Sequence, residues 1–161
     1  MNTWRTADPE KVIEVLNTLT AATWPQTEPE TNQLLSQFEW NPDPNSTTLT
    51  SNLGITPGVV YVIALRSGEV TNVSFDVCDT FPDDDAEAKA DFIQDLFAAY
   101  AARFRQEWGK PAKNTTKPRP EIWWKVGDGC AIKLKRTKWS PDIEFTTPKG
   151  VSLDRVPEDR L

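Results

Sequence analysis

The chain contains no histidine. That absence removes the usual general base, the usual zinc ligand and every Ser-His or Cys-His dyad. Cysteine is nearly absent as well. Cys78 and Cys130 lie far apart, each in an apolar, strand-like stretch, which is unlike a disulfide-dense secreted scaffold or a paired-cysteine metal motif. Two buried free thiols are expected. No apolar run approaches the roughly 20 residues of a membrane-spanning helix, and the opening MNTWRTADPEKV lacks the basic, apolar, then small-residue order of a signal peptide. The expectation is a cytoplasmic protein that does not engage a membrane.

Only 38% of the residues are hydrophobic, yet seven Trp, seven Phe and two Tyr stand among 161 residues. Each large ring can remove roughly 150–250 Å² from water, so burial capacity is concentrated in aromatics, and disordered chains are poor in those. The length suits one domain. Charge is distributed unevenly along it. Residues 1–100 carry 16 Asp/Glu against 4 Lys/Arg and residues 101–161 carry 8 against 14, giving −12 and +6 within a net −6. Such a field favours steering toward a charged partner.

The first segment reads as a helix from Asp8 to Thr23: Asp8 can cap it, Pro9 suits the first position, and Val12, Val15, Leu16 and Leu19 form a stripe. A shorter helix follows Pro29, with Leu34, Leu35 and Phe38 on one side, and the prolines at 42 and 44 end it. From Gly58 the period becomes that of strands. Val59 to Leu65 is apolar on both faces, and Val73, Phe75 and Val77 alternate with polar neighbours, so the two form a hairpin turning at Ser67-Gly68. The longest helix runs from about Asp84 to Trp108, with Ile93, Leu96, Phe97, Tyr100, Phe104 and Trp108 in its stripe and Gly109 as its stop. Lys110 to Pro120 reads as an exposed basic loop. Strands at Glu121–Val126, Gly129–Arg136 and Asp142–Thr147 complete a meander. The expected fold is a single α+β domain over 1–150, a mainly antiparallel sheet of hairpin plus three-stranded meander packed by one long and two N-terminal helices, with 151–161 as a flexible tail.

The acidic run Asp76, Asp79, Asp83, Asp84, Asp85, Glu87, Asp91 and Asp95 has two readings. Carboxylates at the start of a helix satisfy open backbone donors and complement its dipole by about 0.3–1 kcal/mol each. A cap needs only one or two, and like charges four apart repel, so the excess fits an acidic docking surface. Asp83-Asp84-Asp85-Ala86-Glu87 lacks the glycine and length of a calcium loop, and no metal or other cofactor is expected. On the meander, Ile122, Trp124 and Val126 should point inward with Cys130, Ile132 and Leu134. That leaves Trp123 and Lys125 on the opposite face with Lys133 and Lys135. Such a face can stack bases and meet phosphates, or lie solvated with Glu121 and Glu144 as cross-strand partners. Trp4, Trp24, Trp40 and Trp139 stand near element ends, where they close the core or anchor an interface.

An early Trp before a capped helix (Trp4 to Trp24), a hairpin leading into a long helix, and the ending Trp108-Gly109-Lys110-Pro111 followed by Ile122-Trp123-Trp124 and Ile132-Lys133-Leu134 form a familiar set. Together they resemble a family of small uncharacterised actinobacterial proteins whose members look like immunity proteins of polymorphic toxin systems. The resemblance implies a non-enzymatic intracellular protein that neutralises a cognate toxin by binding it, and it assigns no residue. The expected partner is a toxin or secreted protein with a basic surface. Asp76, Asp79, Asp83, Asp84, Asp85, Glu87, Asp91, Trp123 and Lys125 are the candidate contacts. A chaperone or adaptor for a secreted protein and a single-stranded nucleic-acid-binding domain are the alternatives, with nucleic acid the less expected, and the oligomeric state is open.

Overall fold

Asp8 caps the first helix: its carboxylate accepts from the Glu10 N–H at 3.0 Å, and α1 (Pro9–Ala21) buries Val12, Ile13, Val15, Leu16 and Leu19. The computed structural model describes residues 3–154. Helix α2 (Glu28–Leu35) begins in a reciprocal cap, with Thr27 accepting from the Glu30 N–H and Glu30 from the Thr27 N–H. A 3-10 turn over Ser36–Phe38 ends it at Glu39, which adopts the left-handed conformation. Two two-residue strands, β1 (Asn41–Pro42) and β2 (Leu49–Thr50), lead into β3 (Val59–Ala64) and β4 (Val70–Asp76). Then come α3 (Ala86–Trp108), β5 (Lys113–Thr115), β6 (Glu121–Val126), β7 (Cys130–Arg136), β8 (Pro141–Thr146) and α4 (Pro148–Asp154).

All eight strands form one antiparallel sheet in the order β1-β2-β3-β4-β8-β7-β6-β5. The hairpin and the meander are thus one sheet, joined where β8 pairs with β4. The charge split of the sequence follows this seam, since β1–β4 come from the acidic part and β5–β8 from the basic part.

One face of the sheet is the core. Val60, Val73, Phe75, Ile122, Trp124, Ile132, Leu134, Ile143 and Phe145 are buried on it against α1 and the Ile93, Phe97, Tyr100 and Phe104 stripe of α3. Aromatic edges meet faces throughout: Phe104 packs on Tyr100, Trp108 and Trp124, and Trp40 meets Phe75 at 5.1 Å. Burying one such ring contributes at most about 4–6 kcal/mol at ~25 cal/mol/Å², since the unfolded chain is already partly collapsed. The Tyr100 hydroxyl donates to the Ala7 carbonyl at 2.8 Å. That bond ties α3 to the N-terminal segment.

The other face is polar, and its side chains align in rows set by strand register. One row is Tyr61, Ser74, Glu144, Lys133, Trp123 and Lys113; the next is Asp76, Asp142, Lys135, Glu121 and Thr115. Three expectations change in the structure. Val59 to Leu65 is buried on one face only, because Tyr61 and Ile63 lie on this polar side and are 53% and 46% exposed. The expected tail from 151 is helical through Asp154, because α4 docks on this face; residues 155–161 lie outside the described residues. Thr147 anchors α4, donating to the Val70 carbonyl and accepting from the Gly150 N–H. A Cβ on Gly150 would sit 2.4 Å from the Thr71 carbonyl oxygen, so only glycine allows this approach. The basic loop at 110–120 also contains a strand, β5, which pairs with β6.

Candidate functional site

Strand register brings four connections to one end of the sheet. There β4 and β7 finish and β3, β6 and β8 start, so segments 54–58, 77–85, 116–120 and 137–140 surround the beginning of α3. Most of the acidic run lies here.

Three of its aspartates are used internally. The Asp79 side chain, 2% exposed, accepts from the Arg5 and Thr56 backbone N–H groups, both at 2.7 Å, and from the Arg5 guanidinium at 3.1 Å. Burial opposes its charge, but these hydrogen bonds together hold its carboxyl below the usual range. Asp84 accepts from the Trp4 indole and the Phe81 N–H, both at 2.9 Å, and from Lys89 at 3.0 Å. Its carboxyl is also lowered, with burial again outweighed by donors. Lys89 is fully buried; its ammonium also donates to the Asp79 carbonyl at 2.6 Å and lies 5.3 Å from the Trp4 ring centroid. Asp85 is the N-cap of α3, accepting from the Glu87 and Ala88 N–H groups. These contacts staple the N-terminal segment to the start of α3, which makes Asp79 and Asp84 structural parts of the fold and takes them out of the expected docking surface.

Asp83, Glu87 and Asp91 are exposed, and among the described residues none forms an ion pair. At the same end of the sheet, Phe81 and Trp139, 38% and 45% exposed, line a cleft of about 460 Å³ with Thr56, Pro57, Thr80 and Pro82. Sequence reasoning flagged Trp139 only as one of several end-of-element tryptophans and missed Phe81. A Phe-Pro immediately ahead of an acidic helix start was the available signal.

Asp76 lies on the polar sheet face directly across from Asp142. Burial, then the Asp76 charge and Glu144, push the Asp142 carboxyl up to about 7 against the opposing pull of Lys135 and Ser74. Asp76 is raised as well, by burial, with Lys89 offsetting part of it. A pKa raised in the folded state stabilises below the unfolded value and loses that contribution as pH climbs through the folded one. Stability is therefore expected to fall by about 1.4 kcal/mol between about pH 6 and 8 from this group. Urea titrations of the wild type and of Asp142→Asn at the two pH values check this. The variant should show a flatter dependence, and an unchanged slope would assign it to other groups.

The Trp123 face matches the expected orientation, with Ile122, Trp124, Val126, Cys130, Ile132 and Leu134 buried behind it. Ammonium groups from both neighbouring strands lie over the Trp123 ring, Lys133 at 4.0 Å and Lys113 at 4.8 Å. Lys133 is itself paired with Glu144 at 3.2 Å and Asp154 at 2.7 Å, and Lys135 reaches Glu144 at 3.6 Å. A base could stack on Trp123 only by displacing a lysine already bound. Lys125 is exposed next to this cluster. Cys78 and Cys130 are buried free thiols, both raised by burial, Cys130 to about 11, so neither is a thiolate near neutral pH. Among the described residues no helix is long and apolar enough to cross a membrane.

The described residues thus define a single α+β domain with one eight-stranded antiparallel sheet. The chain belongs to a family of unknown function, DUF6301, whose match spans residues 10–147. No curated protein and no solved structure matches it.

Proposed function

We propose that this protein is a cytoplasmic inhibitor that binds a cognate bacterial toxin, in the manner of an immunity protein, through the end of the sheet where α3 begins. The observation that carries this reading is the Phe81–Trp139 cleft at the end of the sheet where α3 begins, followed in the chain by the exposed carboxylates Asp83, Glu87 and Asp91, which form no ion pair among the described residues. Interfaces combine an aromatic centre that excludes water with a charged rim that steers encounter and selects the partner. A basic toxin surface is the complement of this rim. Inhibition by occlusion requires no nucleophile or base of its own.

The same cleft also supports a second reading, a chaperone or adaptor that holds an apolar segment of a secreted protein, with Trp139 as the anchor. Salt separates the two, because rim charges are screened beyond about 8–10 Å at physiological ionic strength whereas apolar burial is not. The test is a pull-down of the tagged protein with co-expressed products of the neighbouring genes, washed at low and high salt. A stoichiometric toxin partner that is released by high salt and lost in Trp139→Ala is the expected result. Retention at high salt would favour the chaperone, and capture that Trp139→Ala leaves intact would rule out the cleft.

A further inference from the structure

The same end of the molecule holds a second concavity of different chemistry. It is a pocket of about 540 Å³ between segment 116–120, the end of β7 and the first turns of α3. Arg119, Arg136 and Lys138 contribute three cations to its lining, and among the described residues no carboxylate lines it. Among the described residues none of the three makes an ion pair. In a chain of net charge −6 this grouping is unusual, because acidic side chains are plentiful and one lining carboxylate would relieve the repulsion. Arg136 is half-buried, and its guanidinium donates to the Gln94 side-chain carbonyl. The floor is apolar: Ala86 and Ala90, one turn apart on α3, and Ile93 beside them. Alanine at both positions leaves room that a longer side chain would fill.

We propose that this pocket binds a small organic phosphate monoester, with the phosphate between Arg119, Arg136 and Lys138 and the organic body on the Ala86–Ala90–Ile93 floor. Two guanidinium forks and an ammonium offer more donors than one carboxylate can accept. A phosphate monoester carries about −1.5 to −2 charge and three acceptor oxygens, which matches them better. The volume falls within the range of small-molecule sites, about 300–1,000 Å³. Asp83 and Glu87, exposed on the neighbouring turn, repel a long polyanion and so favour a small ligand over nucleic acid. This site stands independently of the toxin-binding reading.

The test is an amide-shift titration of the whole protein with AMP, phenyl phosphate, inorganic phosphate and adenosine. AMP or phenyl phosphate should saturate with an affinity below about 1 mM, shifting the Ala86 and Ala90 amides, while adenosine shifts neither. The exposed pair Arg119→Gln/Lys138→Gln should weaken binding by about 10-fold or more with an unchanged melting temperature. Absence of saturation by both organic phosphates, or equal affinity in the double variant, would overturn the site. Inorganic phosphate binding as tightly as phenyl phosphate would overturn the apolar floor's role, and an oligonucleotide binding more tightly than AMP would overturn the small-ligand assignment.

Discussion

Lys89→Ala is expected to lower the unfolding free energy by about 3–5 kcal/mol, because it leaves buried acceptors without their donor. The ammonium is fully enclosed and meets the Asp84 carboxylate at 3.0 Å and the Asp79 carbonyl at 2.6 Å. Removing it strands the Asp84 charge, whose side chain is 5% exposed, and empties the space under the Trp4 ring. Asp84 keeps the Trp4 and Phe81 donors, which hold the loss toward the lower end of that range. Urea denaturation gives the magnitude. Lys89→Met isolates its electrical part, because methionine retains the apolar stem and fills much of the volume. Lys89→Met in an Asp84→Asn background should then cost less than in the wild type, as a coupled pair requires. A loss under about 1 kcal/mol for the alanine variant would mean that water replaces the ammonium, contrary to the burial described.

Reversing Asp83, Glu87 and Asp91 together to lysine is expected to slow association with a basic toxin by about 10- to 100-fold at low salt, with a much smaller change in dissociation. The three are exposed and unpaired among the described residues, so their loss removes steering and costs the fold only the helix-dipole contribution of Glu87, about 0.3–1 kcal/mol. Asp85 is left in place because its carboxylate caps α3, and removing a cap costs about 0.5–2 kcal/mol on its own. Stopped-flow binding at several salt concentrations is the measurement, and the wild-type and variant rates should converge as salt rises. Identical rates at low salt would remove this rim from the interface and leave the Phe81–Trp139 cleft as the contact to test.

The helices and long strands were legible because their signals are local. The Asp8-Pro9 start, the α3 stripe, the Gly109 stop and the alternation of β6 and β7 each lie within a few residues. Pairing of β4 with β8 was not legible, since Asn72 meets Thr146 and no short-range pattern encodes such a partner. The two-residue strands β1 and β2 and the three-residue β5 are too short to show a period. At the candidate site, the sequence located the acidic stretch but could not divide it. Asp83 and Asp84 are neighbours with opposite fates, one exposed and one enclosed by Trp4, Phe81 and Lys89, and that difference is set by a segment 80 residues away. The basic pocket was hidden for a similar reason. Arg119 read only as part of a basic loop, and nothing singled out Lys138, until the fold placed both in one lining with Arg136.

The position of β8 also bears on how this protein is made. Among the described strands it comes last in the chain, yet it is the one that joins the two parts of the sheet, with five residue pairs to β4 on one side and six to β7 on the other. Until it arrives, the β4 edge carries unpaired N–H and C=O groups, and an open edge of that kind is a template for strands of other chains. Closure waits on contacts distant in sequence, which make it slow relative to forming α1 or α3. The half-made protein is most exposed to aggregation during that interval.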